Sequence, residues 1–78
     1  MKMTYGNLSN WIRKLAVTKP YRILLKNGHG FYEVEFLCNE WHHSDKIYPT
    51  DMEDEIKCQK KVLGMCMEFE KNIRIPRF

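Results

Sequence analysis

The sequence of 78 residues lacks a long apolar run, and it also lacks an N-terminal segment of the secretory type. A membrane-spanning helix needs about 20 mostly apolar residues, and a signal peptide needs an apolar stretch of roughly 7–15 residues. The first ten residues, MKMTYGNLSN, provide neither feature. These absences predict a cytoplasmic protein with no membrane partner.

Cysteine is scarce, with three residues at irregular spacing. An odd number of cysteines does not suit a disulfide framework and is typical of free thiols in a reducing compartment. Cys38 and His42 with one further cysteine would be a conceivable zinc site. However, Cys58 and Cys66 lie about 12 Å apart along one predicted helix, too far to share an ion. We therefore predict no metal site and no cofactor.

Catalytic signatures are also missing, since the sequence has no carboxylate dyad, nucleophile elbow, glycine-rich phosphate loop or dinucleotide fingerprint. Three histidines leave one catalytic alternative open. His29 lies in a predicted turn, and His42 and His43 lie in a predicted polar loop, residues 39–49, in which residues 46–48 could form a short strand. Small RNA-cleaving toxins use a loop histidine with basic residues for general acid–base chemistry. Ordinary turn and solvent-facing roles are favoured for these histidines, so we predict a protein that is not an enzyme.

The apolar residues that are present predict helices and strands. Their spacing between Leu8 and Ala16 predicts a first helix that runs to about Val17 and is capped by Asn7 or Ser9.

The next segment, residues 21–38, reads as a β-hairpin, because two β-prone runs flank the turn-forming sequence Asn-Gly-His-Gly at residues 27–30. A two-residue turn at Gly28-His29 would place six apolar residues on one face. The pairs would be Leu25 with Tyr32, Ile23 with Val34, and Tyr21 with Phe36.

The longest amphipathic segment is residues 50–71, a predicted helix that begins with a capping box of Thr50 and Glu53. Winding it at about 100° per residue gives two apolar stripes. The first stripe is Met52, Ile56, Leu63, Cys66 and Met67, and the second stripe is Cys58, Val62, Met65 and Phe69. We expect the hairpin to cover the first stripe. The second stripe is covered either by the first helix or by another molecule, so its four residues are candidate partner-binding residues.

Residues 72–78 alternate in polarity and predict a third strand after the long helix. The element order is then α-β-β-α-β. This order predicts one α+β domain spanning residues 1–78, a small two-layer structure in which an antiparallel hairpin sheet packs on the long helix.

Charge is segregated along the chain: residues 1–32 contain six basic residues and no acid, while residues 33–55 contain eight acids and one lysine. Basic residues from both ends of the chain could meet phosphates if the first helix and the C-terminal strand lay side by side. This candidate basic patch comprises Arg13, Lys14, Lys19, Arg74 and Arg77. The acidic block and the absence of an aromatic stacking platform weigh against nucleic acid. A nucleic-acid-binding regulator is therefore kept as an alternative.

The leading functional hypothesis is a small non-enzymatic binding protein that docks on a host protein and modulates it, for example as an inhibitor. Ala16 is the only alanine, whereas lysine, isoleucine, asparagine and glutamate are plentiful. This bias suggests an AT-rich genome and hence an accessory protein of a phage or mobile element. A homodimer formed through the second stripe is the simplest alternative partner. The rival functions are an RNA-cleaving toxin and a nucleic-acid-binding regulator.

Overall fold

The structure, a computed structural model, describes residues 1–73. Three strands form one antiparallel sheet in the order β1-β2-β3, and two helices and a 3-10 turn complete the fold. The elements are α1 (Tyr5–Val17), β1 (Arg22–Asn27), β2 (Tyr32–Cys38), β3 (Trp41–Ile47), the 3-10 turn (Pro49–Glu53) and α2 (Glu55–Ile73). Helices and sheet share a single apolar core. The predicted α+β class, with an antiparallel sheet on a long helix, is confirmed.

The predicted element order is wrong, because the observed order is α-β-β-β-α. The third strand is β3, in a segment expected to be mostly a polar loop. Only Ile47 is buried along this edge strand, so its sequence lacks the apolar alternation that marks a half-buried strand. The C-terminal strand predicted at residues 72–78 is wrong for its first two residues, because α2 continues through Ile73. Residues 74–78 lie outside the described part of the chain.

Helix α1 begins one turn earlier than predicted. Its N-cap is Thr4, whose side-chain oxygen accepts a hydrogen bond of 3.2 Å from the backbone N–H of Asn7. Asn7 is therefore a first-turn residue and not the cap. Leu8 and Ile12 are buried on the inner side of the helix, with Trp11 packed partly against the same core.

The β1–β2 hairpin has a longer loop than predicted. The backbone N–H of Gly28 donates a 2.9 Å hydrogen bond to the carbonyl of Phe31, and Gly30 has a φ of 76°. The predicted register is consequently wrong by two residues: Ile23 pairs with Phe36, and the remaining pairs shift with it. A shift of two preserves the direction of every side chain. The apolar face predicted to point inward therefore does so.

Helix α2 begins at Glu55, and the predicted capping box of Thr50 and Glu53 is wrong. Both residues lie in the 3-10 turn, after which Asp54 takes an extended conformation that interrupts the helical path. The carboxylate of Asp54 accepts hydrogen bonds of 3.0 and 3.3 Å from the backbone N–H groups of Ile56 and Lys57. Asp54 thus provides the short acceptor that a helix N-terminus favours.

The core is centred on three aromatic rings, from Tyr21 just before β1, Phe36 of β2 and Phe69 of α2. The ring centroid of Phe69 lies 5.1 Å from that of Tyr21 and 5.5 Å from that of Phe36. Tilted and edge-on contacts at these distances are favourable beyond the area that they bury. Phe69 therefore joins α2 to the sheet.

A polar cluster fastens the C-terminal half of α2 to the start of β1. Glu70 accepts hydrogen bonds from the hydroxyl of Tyr21 and from Nζ of Lys19, the second at 2.9 Å. These two bonds, that from Tyr21 first, lower the pKa of Glu70. Burial and the bond to Glu70 raise the pKa of Tyr21, so the phenol keeps its proton and acts as a donor.

Replacing Tyr21 by phenylalanine keeps the ring but removes this donor. We expect the pKa of Glu70 to rise toward its ordinary value of 4.5. A lowered carboxyl pKa in the folded state contributes stability above the unfolded value, and this stability is lost as the pH falls through the folded pKa. Tyr21→Phe should therefore be less stable than wild type at about pH 7, and the difference should narrow toward about pH 3.

NMR titration of the Glu70 carboxyl, with urea unfolding at both pH values, tests this expectation. Tyr5→Phe is the matched control, because it also removes a phenolic hydroxyl, but from a ring that packs at a tilt against Tyr32, with the ring centroids 4.9 Å apart. An unchanged Glu70 pKa in Tyr21→Phe would contradict the assignment.

Candidate protein-interaction face of the long helix

The structure buries the second stripe of α2. Cys58 and Val62 have no exposed surface, Met65 is 5% exposed and Phe69 is 2% exposed. The expectation that these four candidate partner-binding residues could be left for another molecule is thereby corrected, because they form the α2 side of the core. Burial also raises the pKa of both α2 thiols, those of Cys58 and Cys66.

The first stripe is mostly exposed, and the expectation that the hairpin covers it is wrong. Ile56 is 63% exposed, Leu63 is 39% exposed and Met67 is 69% exposed. Only Met52 and Cys66 of this stripe are buried. The reason is geometric: the sheet meets α2 on the side of the second stripe, and the first stripe is turned away from it.

The exposed side chains form a continuous ridge along the helix. At about 100° per residue, Ile56, Leu63 and Met67 fall within an arc of about 40°. Their span of 11 residues corresponds to about 16 Å along the axis. We call the ridge and its polar neighbours the outer face of α2. It comprises Ile56, Lys57, Lys60, Leu63, Gly64, Met67 and Glu68.

The charges of the outer face point into solvent. Lys60 lies at the edge of the ridge, about 20° beyond Met67, and Lys57 and Glu68 lie further around on the same flank, within about 20° of each other around the axis. The ion pairs found among residues 1–73 involve other groups, namely Lys19–Glu70, Lys26–Glu35, His42–Glu35 and Lys61–Asp51. The outer face therefore offers apolar contact together with charges of both signs.

The three histidines are not brought together. His29 lies in the β1–β2 loop, whereas His42 and His43 lie on β3 opposite the far end of β2. As neighbours on a strand, His42 and His43 point to opposite faces of the sheet. Nε2 of His42 is 2.9 Å from Oε2 of Glu35, and the ring of His43 lies 6.4 Å from that of Phe36.

Glu35 lies near the middle of the sheet face that carries no helix. Its carboxylate contacts His42 and also Nζ of Lys26, at 3.0 Å. Hydrogen bonding with His42, followed by that with Lys26, lowers the pKa of Glu35. The three side chains form a polar network that joins all three strands, with the Glu35 carboxylate at its centre.

The residues weighed for zinc are also separated. Cys38 and His42 point to opposite faces of the sheet, because Cys38 pairs with Trp41 and His42 pairs with Leu37. Across residues 1–73, no three side chains of His, Cys, Asp or Glu are grouped closely enough to hold a metal ion.

The described part of the chain contains three residues of the candidate basic patch. Arg13 and Lys14 are exposed on α1, whereas Lys19 follows the helix and is held by Glu70. Arg74 and Arg77 lie outside the described residues.

An open cavity of about 660 Å³ lies beside the N-terminal segment. Its aromatic walls include Tyr5, Phe31 and Tyr32. These rings already contact other side chains: Tyr5 packs at a tilt against Tyr32, and Phe31 packs near Tyr48 and beneath the ammonium group of Lys46. Lys2 and Glu53 supply opposite charges on its rim, so the cavity has no charge preference of its own.

The chain matches no protein-family model, no curated protein and no solved structure. Within residues 1–73, neither helix combines the length and the apolar content that crossing a bilayer requires.

The sequence pattern identifies the apolar residues of this site, but it led to the wrong expectation that the hairpin would cover them. One available signal distinguishes the two stripes. Lys60 lies next to the arc of the first stripe, about 20° beyond Met67, and lysine is among the residues least often buried. The second stripe has an uninterrupted spacing of four, three and four residues, which is the pattern of a core-facing helix side.

Proposed function

We propose that this chain is a small non-catalytic protein-binding domain that docks on another protein chain through the outer face of α2. The observation that supports the proposal is the ridge of Ile56, Leu63 and Met67, three large apolar side chains exposed in line on a helix whose other side forms the core. A contiguous apolar patch rimmed by polar groups is typical of a protein-interaction site. Anchors one, two and three turns apart suit recognition of a helix or a groove.

The composition of this face favours protein over nucleic acid as the ligand. A phosphate backbone requires several cations that are not balanced by acids. The ridge offers apolar surface in place of cations, and Glu68 lies on the same flank as Lys57. An apolar ridge with charges of both signs at its border resembles the core and rim of protein–protein interfaces.

The composition favours a specific form of this proposal. In that form, the chain is an accessory protein of a phage or mobile element that docks on a host protein and modulates or inhibits it. Its support is the shortage of alanine and the abundance of lysine, isoleucine, asparagine and glutamate. In that form, the outer face of α2 would be the surface that meets the host protein.

Site-specific photo-cross-linking tests the proposed surface. A photoreactive phenylalanine analogue replaces Leu63 in one variant and Val17 in another. Val17 is a matched control because it is apolar, lies on a helix and is 87% exposed, but belongs to α1. We expect discrete covalent protein adducts from position 63 and none from position 17. Adding Met67→Glu to the position-63 variant should abolish them.

Three results would contradict the proposal. These are the absence of protein adducts at position 63, adducts formed equally at position 17, and adducts with nucleic acid in place of protein. The third result would support the nucleic-acid-binding alternative.

A further inference from the structure

We propose that a second copy of the same chain occupies the outer face of α2, with the two helices antiparallel about a two-fold axis near residue 62. This inference rests on the proposed function, because it uses the same surface, and it names the partner. The support is that the outer face is complementary to itself in one antiparallel register. Three pairs of residues define that register independently.

The apolar ridge gives the first pair. In an antiparallel pairing about residue 62, the residue numbers of two residues that face each other add up to about 124. Ile56 then lies beside Met67 of the second copy, and Met67 lies beside its Ile56. Leu63 lies next to the axis, where the two copies of this side chain meet. All three apolar residues of the ridge are thereby covered at once.

The flanking charges give the second pair. Lys57 and Glu68 lie on the same side of the ridge, and their numbers add to 125. A two-fold axis perpendicular to both helices brings equivalent flanks together, so Lys57 of each copy meets Glu68 of the other. Symmetry makes both ion pairs form together. A parallel two-fold pairing would instead bring opposite flanks of the two helices together, so Lys57 and Glu68 of the two copies would not meet.

Lys60 and Gly64 give the third pair, since their numbers add to 124. Lys60 lies at the edge of the ridge, about 20° beyond Met67, where a facing side chain would bury its ammonium group. In the antiparallel register it crosses Gly64 of the second copy, which has no side chain. Gly64 is exposed, and a Cβ added there would meet no atom within 4 Å. Packing within one chain therefore does not require glycine at this position, although glycine weakens a helix interior. In the antiparallel register, glycine at position 64 leaves room for the Lys60 side chain of the second copy.

Self-pairing has a consequence for any other protein that uses this face. Such a partner would bind the monomer and would have to compete with the second copy. Its apparent affinity would fall as the concentration of the chain rises, because less monomer is then available.

Sedimentation equilibrium over a concentration series tests the register through charge reversal. The wild type should show a reversible species of twice the 9.5 kDa chain mass. Lys57→Glu and Glu68→Lys should each weaken association about tenfold, because each turns both ion pairs into like-charge contacts. The double variant should recover to within about threefold of wild type, because it restores both pairs in reversed order. Lys14→Glu on α1 is the charge-matched control and should leave association unchanged.

The alternative outcomes distinguish a failure of this inference from a failure of the proposed function. A wild type that stays monomeric up to about 1 mM, a concentration at which even weak complexes form, overturns self-pairing. Position 63 cross-linked to a different protein would then leave the proposed function standing. Association that weakens in both single variants without recovery in the double variant overturns the antiparallel register. A dimer that Met67→Glu does not weaken overturns the register and the proposed surface together. Circular dichroism confirms that each variant is folded, since all the substituted side chains are exposed.

Discussion

Met65→Glu is expected to unfold the domain, whereas Met67→Glu is expected to leave it folded. The two methionines are two residues apart on α2, and they have opposite environments: Met65 is 5% exposed and Met67 is 69% exposed. An ionised carboxylate buried without a cation costs several kcal/mol. A single core in a chain of this length supplies roughly 3–5 kcal/mol, so one such substitution removes most or all of the stability.

Urea unfolding followed by circular dichroism measures both variants against wild type. We expect no folded baseline for Met65→Glu and a change of about 0.5 kcal/mol or less for Met67→Glu, as is usual for exposed positions. Equal destabilisation by the two substitutions would show that the sides of α2 have been assigned wrongly. The outcome also separates core from interface, because Met67→Glu should lose the protein adducts at position 63 while it keeps its fold.

Phe69→Ala has the second largest expected effect. Phe69 is 2% exposed and packs against the rings of Tyr21 and Phe36. Truncating a buried phenylalanine removes transfer energy and leaves a cavity, at a typical cost of 3–5 kcal/mol. We therefore expect Phe69→Ala to be largely unfolded at room temperature.

Phe69→Leu is the graded control for this prediction. It keeps an apolar side chain at the junction of α2 and the sheet, so the loss in the free energy of unfolding should be smaller than for Phe69→Ala. Urea midpoints measure both variants at neutral pH. A loss of under about 1 kcal/mol for Phe69→Ala, well below the usual range, would be inconsistent with a central position for this ring.

The features of the fold that depend on local pattern could be predicted. Helical spacing marks α1 and α2, and alternation marks the inward face of the hairpin even though the register is off by two, because side-chain direction has a period of two. The features that depend on longer contacts could not. Strand β3 lies at a sheet edge with little buried apolar surface, so its formation follows from pairing with β2 and leaves a weak sequence signal. The start of α2 depends on Asp54, a second good N-cap four residues after Thr50.

The candidate site shows the same limit. The two stripes of α2 differ little in apolar content, and the side that faces the sheet is decided by how the chain packs as a whole. The lysines beside the first stripe favour its exposure, but a helix of a different fold could have placed them at the rim of a core. A surplus apolar surface on α2 was within reach of the sequence. Which residues form that surface was not.

Oxidation of the methionines by dilute peroxide, read by peptide mass spectrometry, tests the two-sided nature of α2 most directly. In dilute protein, where the chain is monomeric, we expect Met67 to be oxidised rapidly. Met65 should be protected, as should Met3 and Met52, which are also buried. At higher concentration Met67 should become protected as its face is covered, while Met1, which is 97% exposed, stays reactive. Rapid oxidation of Met65 with protection of Met67 in dilute protein would contradict the account.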